Sequence, residues 1–322
     1  MIGREDELDM QDSQKTEASP LVGLSKTDWL RSVGEIADAQ GYLQPLGPRH
    51  NAVFIEDGET MLVTFETIQG IQALSEDAQP LGWTLVRRLG WSHICILSDG
   101  DTWYRDAQVY AYFDLLTDEG FFDEFDQVIF YGAGPGGYAA AAYSVAAPGA
   151  TVIAVQPQAT LDPRVTEWDD RFIEMRRTDF TDRYGYAPDM LDAAMQAHVL
   201  YDPREDLDAM HAALFTRPNV RKHRMPGMGD ALQSELMEMQ ILNKVIARAA
   251  DGKLDTLDFA KLYRARRNHG PYLRRLLNAT DAAERLELSR MICANVVARV
   301  HAPKFKRRLR QIEAQLNGEE VE

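Results

Sequence analysis

Residues 128–144 read VIFYGAGPGGYAAAAYS. An apolar run from Val128 to Tyr131 stops at a glycine-dense turn, Gly132, Gly134, Gly136 and Gly137, and passes into an alanine-rich stretch. The pattern predicts a buried strand, a tight turn and a helix in direct succession. Such a unit is the core of an α/β fold, and the flanking segments must build around it.

Two functional turns are built at junctions of this kind. The letters GAGPGGYAAA resemble the flavin and nicotinamide dinucleotide fingerprint, in which glycines Gly132, Gly134, Gly136 and Gly137 would let the backbone approach a pyrophosphate at a helix N-terminus. They also overlay the nucleophile elbow G-x-S-x-G on Gly132-Ala133-Gly134-Pro135-Gly136, which puts Gly134 at the nucleophile's position. The dinucleotide reading needs an acidic residue about 20 positions on, at the end of the next strand. That strand is TVIAVQPQ, and Val155 or Gln156 stands there instead. Three strand-like runs, Ala52 to Glu56, Met61 to Glu66 and His93 to Asp99, also precede the turn, whereas the dinucleotide fingerprint tends to open its domain.

Downstream of the turn the order nucleophile, acid, histidine is kept: HVLYD ends in Asp202, and NVRKHRMPGMG (Asn219 to Gly229) occupies the place of the last strand and the loop after it. On these motifs residues 45–230 resemble the α/β-hydrolase superfamily. The resemblance implies a mostly parallel sheet flanked by helices, followed here by an all-helical C-terminal appendage. It also implies lost chemistry. Gly134 has no nucleophilic atom, Met228-Gly229-Asp230 offers no histidine, and Pro135 has no backbone N–H to donate to an oxyanion. Loss of one such donor alone typically costs about 2.7–4 kcal/mol of barrier. A dyad rescued by His223 would still lack a nucleophile, since Ser98 and Ser144 lie off the elbow. The second oxyanion donor would come from Glu66, Thr67 or Ile68, with the Glu66 carboxylate expected at the surface. The chain is therefore expected to be a catalytically degenerate binding module or pseudoenzyme, with no catalytic residue, no resident cofactor and no metal. Read structurally, Pro135 is a first-turn helix proline, and Gly136 and Gly137 permit close helix–sheet packing.

Composition sets the frame. The chain has 322 residues, 45% of them hydrophobic, and a net charge of -15, so a nucleic-acid surface, which needs clustered Lys and Arg, is not expected. Cys95 and Cys293 are read as buried apolar side chains in a reducing compartment. No apolar run of about 18 residues suggests a membrane span, and the N-terminus lacks the apolar core of a signal peptide. These features make a cytoplasmic location the expectation. Residues 1–24 are read as a mobile acidic tail, 25–230 as the α/β domain and 231–322 as the helical region. Ser25 is the expected N-cap of a helix whose apolar face carries Trp29, Val33, Ile36 and Ala37. Pro45, Gly47 and Pro48 are expected to lead into the first strand.

Further candidates lie at strand ends. ICILSDGDTWYRDAQ gathers Asp99, Asp101, Trp103, Tyr104, Arg105 and Asp106, and open α/β sheets bind ligands outside the carboxyl ends of their strands. Asp99-Gly100-Asp101 also resembles a phosphatase nucleophile loop, with Trp103 where a hydroxyl is needed. The candidate pocket is thus Gly134, Pro135, Asp99, Trp103, Tyr104, Arg105 and Asp202. Asp202 is read as a loop cap and His211 as packed in a helix, while the charged loop from Asp162 to Arg171 could cover the pocket. Two enzymatic alternatives are a flavin or NAD oxidoreductase using Gly132 to Gly137, and a transferase with a relocated site at Asp99 to Asp106. The basic clusters Arg264 to Arg267, Arg274-Arg275 and Lys304 to Arg310 suggest a protein partner or self-association through the helical region. The chain is also similar to bacterial proteins often labelled phosphoadenosine phosphosulfate reductase, but it lacks the S-G-G-x-D-S loop and the C-terminal catalytic cysteine which that chemistry requires.

Overall fold

The computed structural model describes residues 19–317. Residues 1–18 of the expected tail and the acidic stretch Glu319 to Glu322 lie outside the described residues. Within residues 19–24 of that tail Leu21 is fully buried with Trp29, Val33 and Ala37 of the first helix, α1 (Lys26–Ala37), while Val22 is exposed. Ser25 caps α1 by accepting the Asp28 amide hydrogen, while Ile36, expected on the apolar face, is exposed.

The chain forms an eight-stranded sheet of β1 (Gly41–Leu46), β2 (His50–Ile55), β3 (Thr60–Thr67), β4 (Ser92–Ser98), β5 (Gln127–Ala133), β6 (Thr151–Val155), β7 (Gln196–Tyr201) and β8 (Val220–Arg224). The spatial order is β1-β2-β4-β3-β5-β6-β7-β8, with β2 antiparallel to both neighbours and every other pairing parallel. The segment expected to be a linker around Pro45 is itself strand β1. It tolerates Pro45 because it lies at the sheet edge, where a missing N–H removes no central ladder bond.

Helices succeed the strands: α2 (Ile68–Leu74) and α3 (Gly82–Leu89) after β3, α4 (Ala107–Asp118) after β4, α5 (Pro135–Tyr143) after β5 and α6 (Asp206–Leu214) after β7. On one face Met61, Val63, Phe65, Phe130 and Val152 pack beneath Val109, Phe113 and the alanines of α5. Small residues let α5 sit close to the sheet, and the helix is buried on all sides from Gly136 to Tyr143. The opposite face divides. Cys95 and Leu97 pack against α1, α2 and α3, whereas Ile129, Tyr131, Ile153, Val155 and Leu200 are covered by α7 (Leu232–Glu238), α8 (Leu242–Ala250) and α9 (Thr256–Leu262).

The region from 231 onward is helical, as expected, and serves two packing roles. Its first three helices are the second cover of the sheet, because a central parallel strand apolar on both faces must be buried on both. Only α10 (Gly270–Ala282), α11 (Leu286–Arg299) and α12 (Pro303–Asn317) close a small core of their own around Leu273, Cys293, Val296 and Phe305.

At the β5–α5 turn two glycines are steric necessities. A Cβ on Gly132 would stand 2.0 Å from the Gly136 carbonyl oxygen, and one on Gly136 would stand 2.4 Å from that of Phe65. Gly34, inside α1, instead leaves ordinary contact distance to Leu43. Gly132→Ala should therefore lower stability by about 1–3 kcal/mol or more through backbone displacement. Gly34→Ala should raise it by about 0.5–1 kcal/mol. Urea unfolding of the two variants measures both signs.

Candidate functional site

Strand β3 leads into α2 and α3 on one face of the sheet, while its neighbour β5 leads into α5 on the other. Chain connections that depart to opposite faces from adjacent parallel strands open a crevice at the strands' carboxyl ends. A cavity of about 1050 Å³ lies there. Its walls include Phe65, Glu66, Tyr104, Pro135 and, from α8, Leu242 and Asn243. The Tyr104 hydroxyl and the Asn243 side-chain oxygen are buried in this wall with no hydrogen-bond partner among the described residues.

The turn above β5 keeps the shape of an elbow. Gly134 has φ 54° and ψ -121°, its amide donates to the Val155 carbonyl (2.8 Å), and its own carbonyl accepts the Tyr138 amide (3.0 Å). A left-handed φ of this kind typically costs a side-chain-bearing residue about 1–3 kcal/mol. A Cβ at Gly134 would nevertheless meet nothing within 4 Å, so the position that would present a nucleophile faces open space and carries no atom. Pro135 begins α5 at its first position.

Asp202 comes directly after β7 and is fully buried. One oxygen accepts the Arg204 amide (2.9 Å) and the other the Gly229 amide (2.8 Å), tying the end of β7 to the loop after β8. His223 lies within β8, where its ring packs against Phe259. Its Nε2 is 3.0 Å from Nδ1 of His198, and the two rings stack with centroids 5.2 Å apart. Burial pushes His198 down to about 3 and His223 down to about 4, with His223 and Arg221 respectively adding charge repulsion.

Asp99, Trp103 and Arg105 do not line the cavity. Asp99 accepts from Lys26 (2.8 Å) and Gln69 (2.7 Å), bonds that hold its carboxyl below the usual range. Trp103 is buried, its indole N–H donating to Gln158 (3.1 Å). Arg105 donates to the carbonyls of Asp179 (2.8 Å) and Arg183 (2.7 Å), pinning the 179–184 segment. Of the seven pocket candidates, Tyr104 and Pro135 line the cavity.

His211 accepts the Ala159 amide at Nδ1 (3.1 Å) and presents Nε2 to Asp169 (2.9 Å), so it carries its proton on Nε2. Burial opposes the ionisation of Asp169, yet hydrogen bonds from His211 and Arg171 hold it ionised far below the ordinary carboxylate range. The 162–171 loop is thereby anchored from inside. Gln156, at the place of the dinucleotide acid, donates to Asp208 (2.8 Å) and accepts the Leu232 amide (2.8 Å). Gly136 and Gly137 approach the carbonyls of Phe65 and Val155, so the glycines serve helix–sheet contact at this turn.

Glu66, expected at the surface, is half-buried beside the cavity. It accepts from Thr64 (2.7 Å), the Leu81 amide (3.1 Å) and Cys95 (3.5 Å). Burial raises its proton affinity and that of Cys95, and pushes His93 down to about 3. The sequence signal for this cluster is the alternation in HICIL, which sends His93 and Cys95 to the same face.

The strand order, the turn after β5 and the acid after β7 together define an α/β-hydrolase-like fold with further helices at its C-terminus. No protein-family model and no curated protein matches the chain. Among solved structures, a glycosylation-associated protein (Gap123) complex from Streptococcus agalactiae is 14% identical with a TM-score of 0.44, over 63% of this chain and 45% of that one. The chain thus aligns with less than half of that protein's length. Est1E from Butyrivibrio proteoclasticus (14%, TM-score 0.38, 62% and 98% covered) and a Pyrobaculum calidifontis esterase (13%, 0.38, 72% and 91%) are also similar.

The His198–His223 pair makes the fold sensitive to acid. Unfolded histidines take up protons below about pH 6.5, whereas the folded pair stays neutral to about 4. Between these values the unfolded state binds more protons, so stability falls on acidification, by up to about 1.4 kcal/mol per pH unit for each histidine. Chemical unfolding across pH 7 to 4 should show that slope, and it should be shallower in His223→Gln.

Proposed function

We propose that this chain is a binding protein on an α/β-hydrolase-like fold, without acyl-transfer chemistry at its elbow, that takes a small polar ligand in the crevice above β3 and β5. The observation that carries the first half is the elbow itself: the shape is kept, but Gly134 supplies no nucleophile and Pro135 no N–H. Asp202 and His223 are committed to other partners, so neither is available to activate a water or a hydroxyl there.

The binding half is supported by the crevice wall. A buried polar atom without a partner costs about 1–3 kcal/mol, and a ligand that accepts from the Tyr104 hydroxyl while donating to Asn243 relieves two such atoms at once. The cavity, at about 1050 Å³, is slightly larger than the usual range of small-molecule sites, about 300–1,000 Å³. The ligand class favoured therefore carries both an acceptor and a donor.

A fluorophosphonate probe of serine hydrolases should leave the full chain unlabelled. Gly134→Ser should also stay unlabelled, because restoring the hydroxyl restores neither base nor oxyanion donor; labelling of the wild type would overturn the reading. Thermal unfolding against a panel of polar metabolites tests binding separately. A true ligand at about 100 times its Kd adds about 2.7 kcal/mol, and Tyr104→Phe should reduce that gain.

A further inference from the structure

Thr64 and Glu66 on β3 and His93 and Cys95 on β4 leave one face of the sheet, with Thr64 in direct register with Cys95. A carboxylate oxygen of Glu66, a ring nitrogen of His93 and the sulfur of Cys95 all lie within 4.8 Å of one another. We propose that Glu66, His93 and Cys95 form a zinc-type divalent-cation site buried against the sheet beside the crevice, which Glu66 alone of the three lines, with a fourth position open to water or to an oxygen of a bound ligand.

The donor set points to this class of ion. A thiolate and an imidazole with one carboxylate suit zinc, whereas magnesium and calcium prefer oxygen alone. Three protein ligands with one open position is the arrangement of a reactive zinc centre. In a tetrahedral site, zinc–sulfur and zinc–nitrogen or zinc–oxygen bonds of about 2.0–2.3 Å set ligand atoms roughly 3.3–3.7 Å apart. The Cys95 sulfur is 3.5 Å from Glu66. One thiolate, one carboxylate and a dication also form a neutral unit, which a buried position requires.

A second observation is independent of the cluster's composition. The His93 ring is fully buried, and its Nδ1 has no hydrogen-bond partner among the described residues. The same holds for the hydroxyl of Tyr131, which stands beside Thr64 on the neighbouring strand β5. Thr64 already joins two of the ligands, reaching His93 Nε2 (2.9 Å) and Glu66 (2.7 Å), as an outer partner that orients metal ligands does. Gly82 leaves space for the imidazole, since a Cβ there would come within 2.2 Å of Nε2. Around the opening Glu76, Asp77, Asp101 and Glu238 outnumber Arg88 and Lys244, a balance that draws cations inward. Strands β3 and β4 alone build the site, so it does not depend on what the elbow does.

Cobalt(II) titration of the full chain, stripped with a chelator and kept reduced, tests the assignment. The wild type should develop a thiolate-to-cobalt charge-transfer band that saturates at one ion per chain and is displaced by zinc. Cys293→Ser should leave the band unchanged. Cys95→Ser should abolish it, and His93→Gln should weaken zinc binding more than about 100-fold, since losing even an outer partner of a ligand costs about 10–100-fold. Circular dichroism checks that the variants fold; should Cys95→Ser not fold, the wild-type and Cys293→Ser titrations decide. Absence of the band in the wild type, its loss in Cys293→Ser, or its persistence in a folded Cys95→Ser overturns the site.

Discussion

The contact on which the molecule depends is that of backbone against backbone where α5 begins. Gly136 lies against the Phe65 carbonyl of β3, and Gly132 against the Gly136 carbonyl, at separations no side chain could share. That approach fixes where β5 must end, forces Gly134 into its left-handed turn, and seats an alanine-rich helix directly on the sheet. With α5 held to one face and α2 and α3 to the other, the crevice between β3 and β5 is a result of topology.

Shape and chemistry separate cleanly at this turn. The conformation that would aim a nucleophile is maintained by packing, and packing does not require the nucleophile itself. Gly134 removes the reactive atom while reducing the strain of the turn, because glycine adopts positive φ without a steric penalty. Pro135 removes an amide hydrogen that could have served an oxyanion, yet it favours helix initiation at the same place. Both residues suit a stable turn.

Polar groups around the sheet are used in the same structural sense. Asp202 joins two loops through backbone amides, His211 and Asp169 anchor the 162–171 loop from within, and His198 and His223 share one hydrogen bond as neutral rings. Among the buried polar atoms without a partner in the described residues are the Tyr104 and Tyr131 hydroxyls, the Asn243 oxygen and a His93 nitrogen, alongside others elsewhere such as Nε2 of His198 and the Tyr263 hydroxyl.

By itself the sequence determined the strand–turn–helix at Val128 to Ser144, the several strands before it, the acid at Asp202 and the absence of a side-chain nucleophile at Gly134 and of an amide hydrogen at Pro135. These are local matters of periodicity, of φ and of the presence or absence of an atom, and they are legible residue by residue. Only the tertiary structure decided that Glu66 turns inward, that Asp99 and Arg105 bind other segments rather than line the crevice, that Pro45 lies in an edge strand, and that the helices from Leu232 to Leu262 cover the sheet. Each of these depends on which distant segment arrives opposite a given side chain. His93 and Cys95 have the alternation of an ordinary buried strand, and no spacing along the chain shows that β4 aligns them with Thr64 and Glu66, because strand register is set by the packing of the whole sheet.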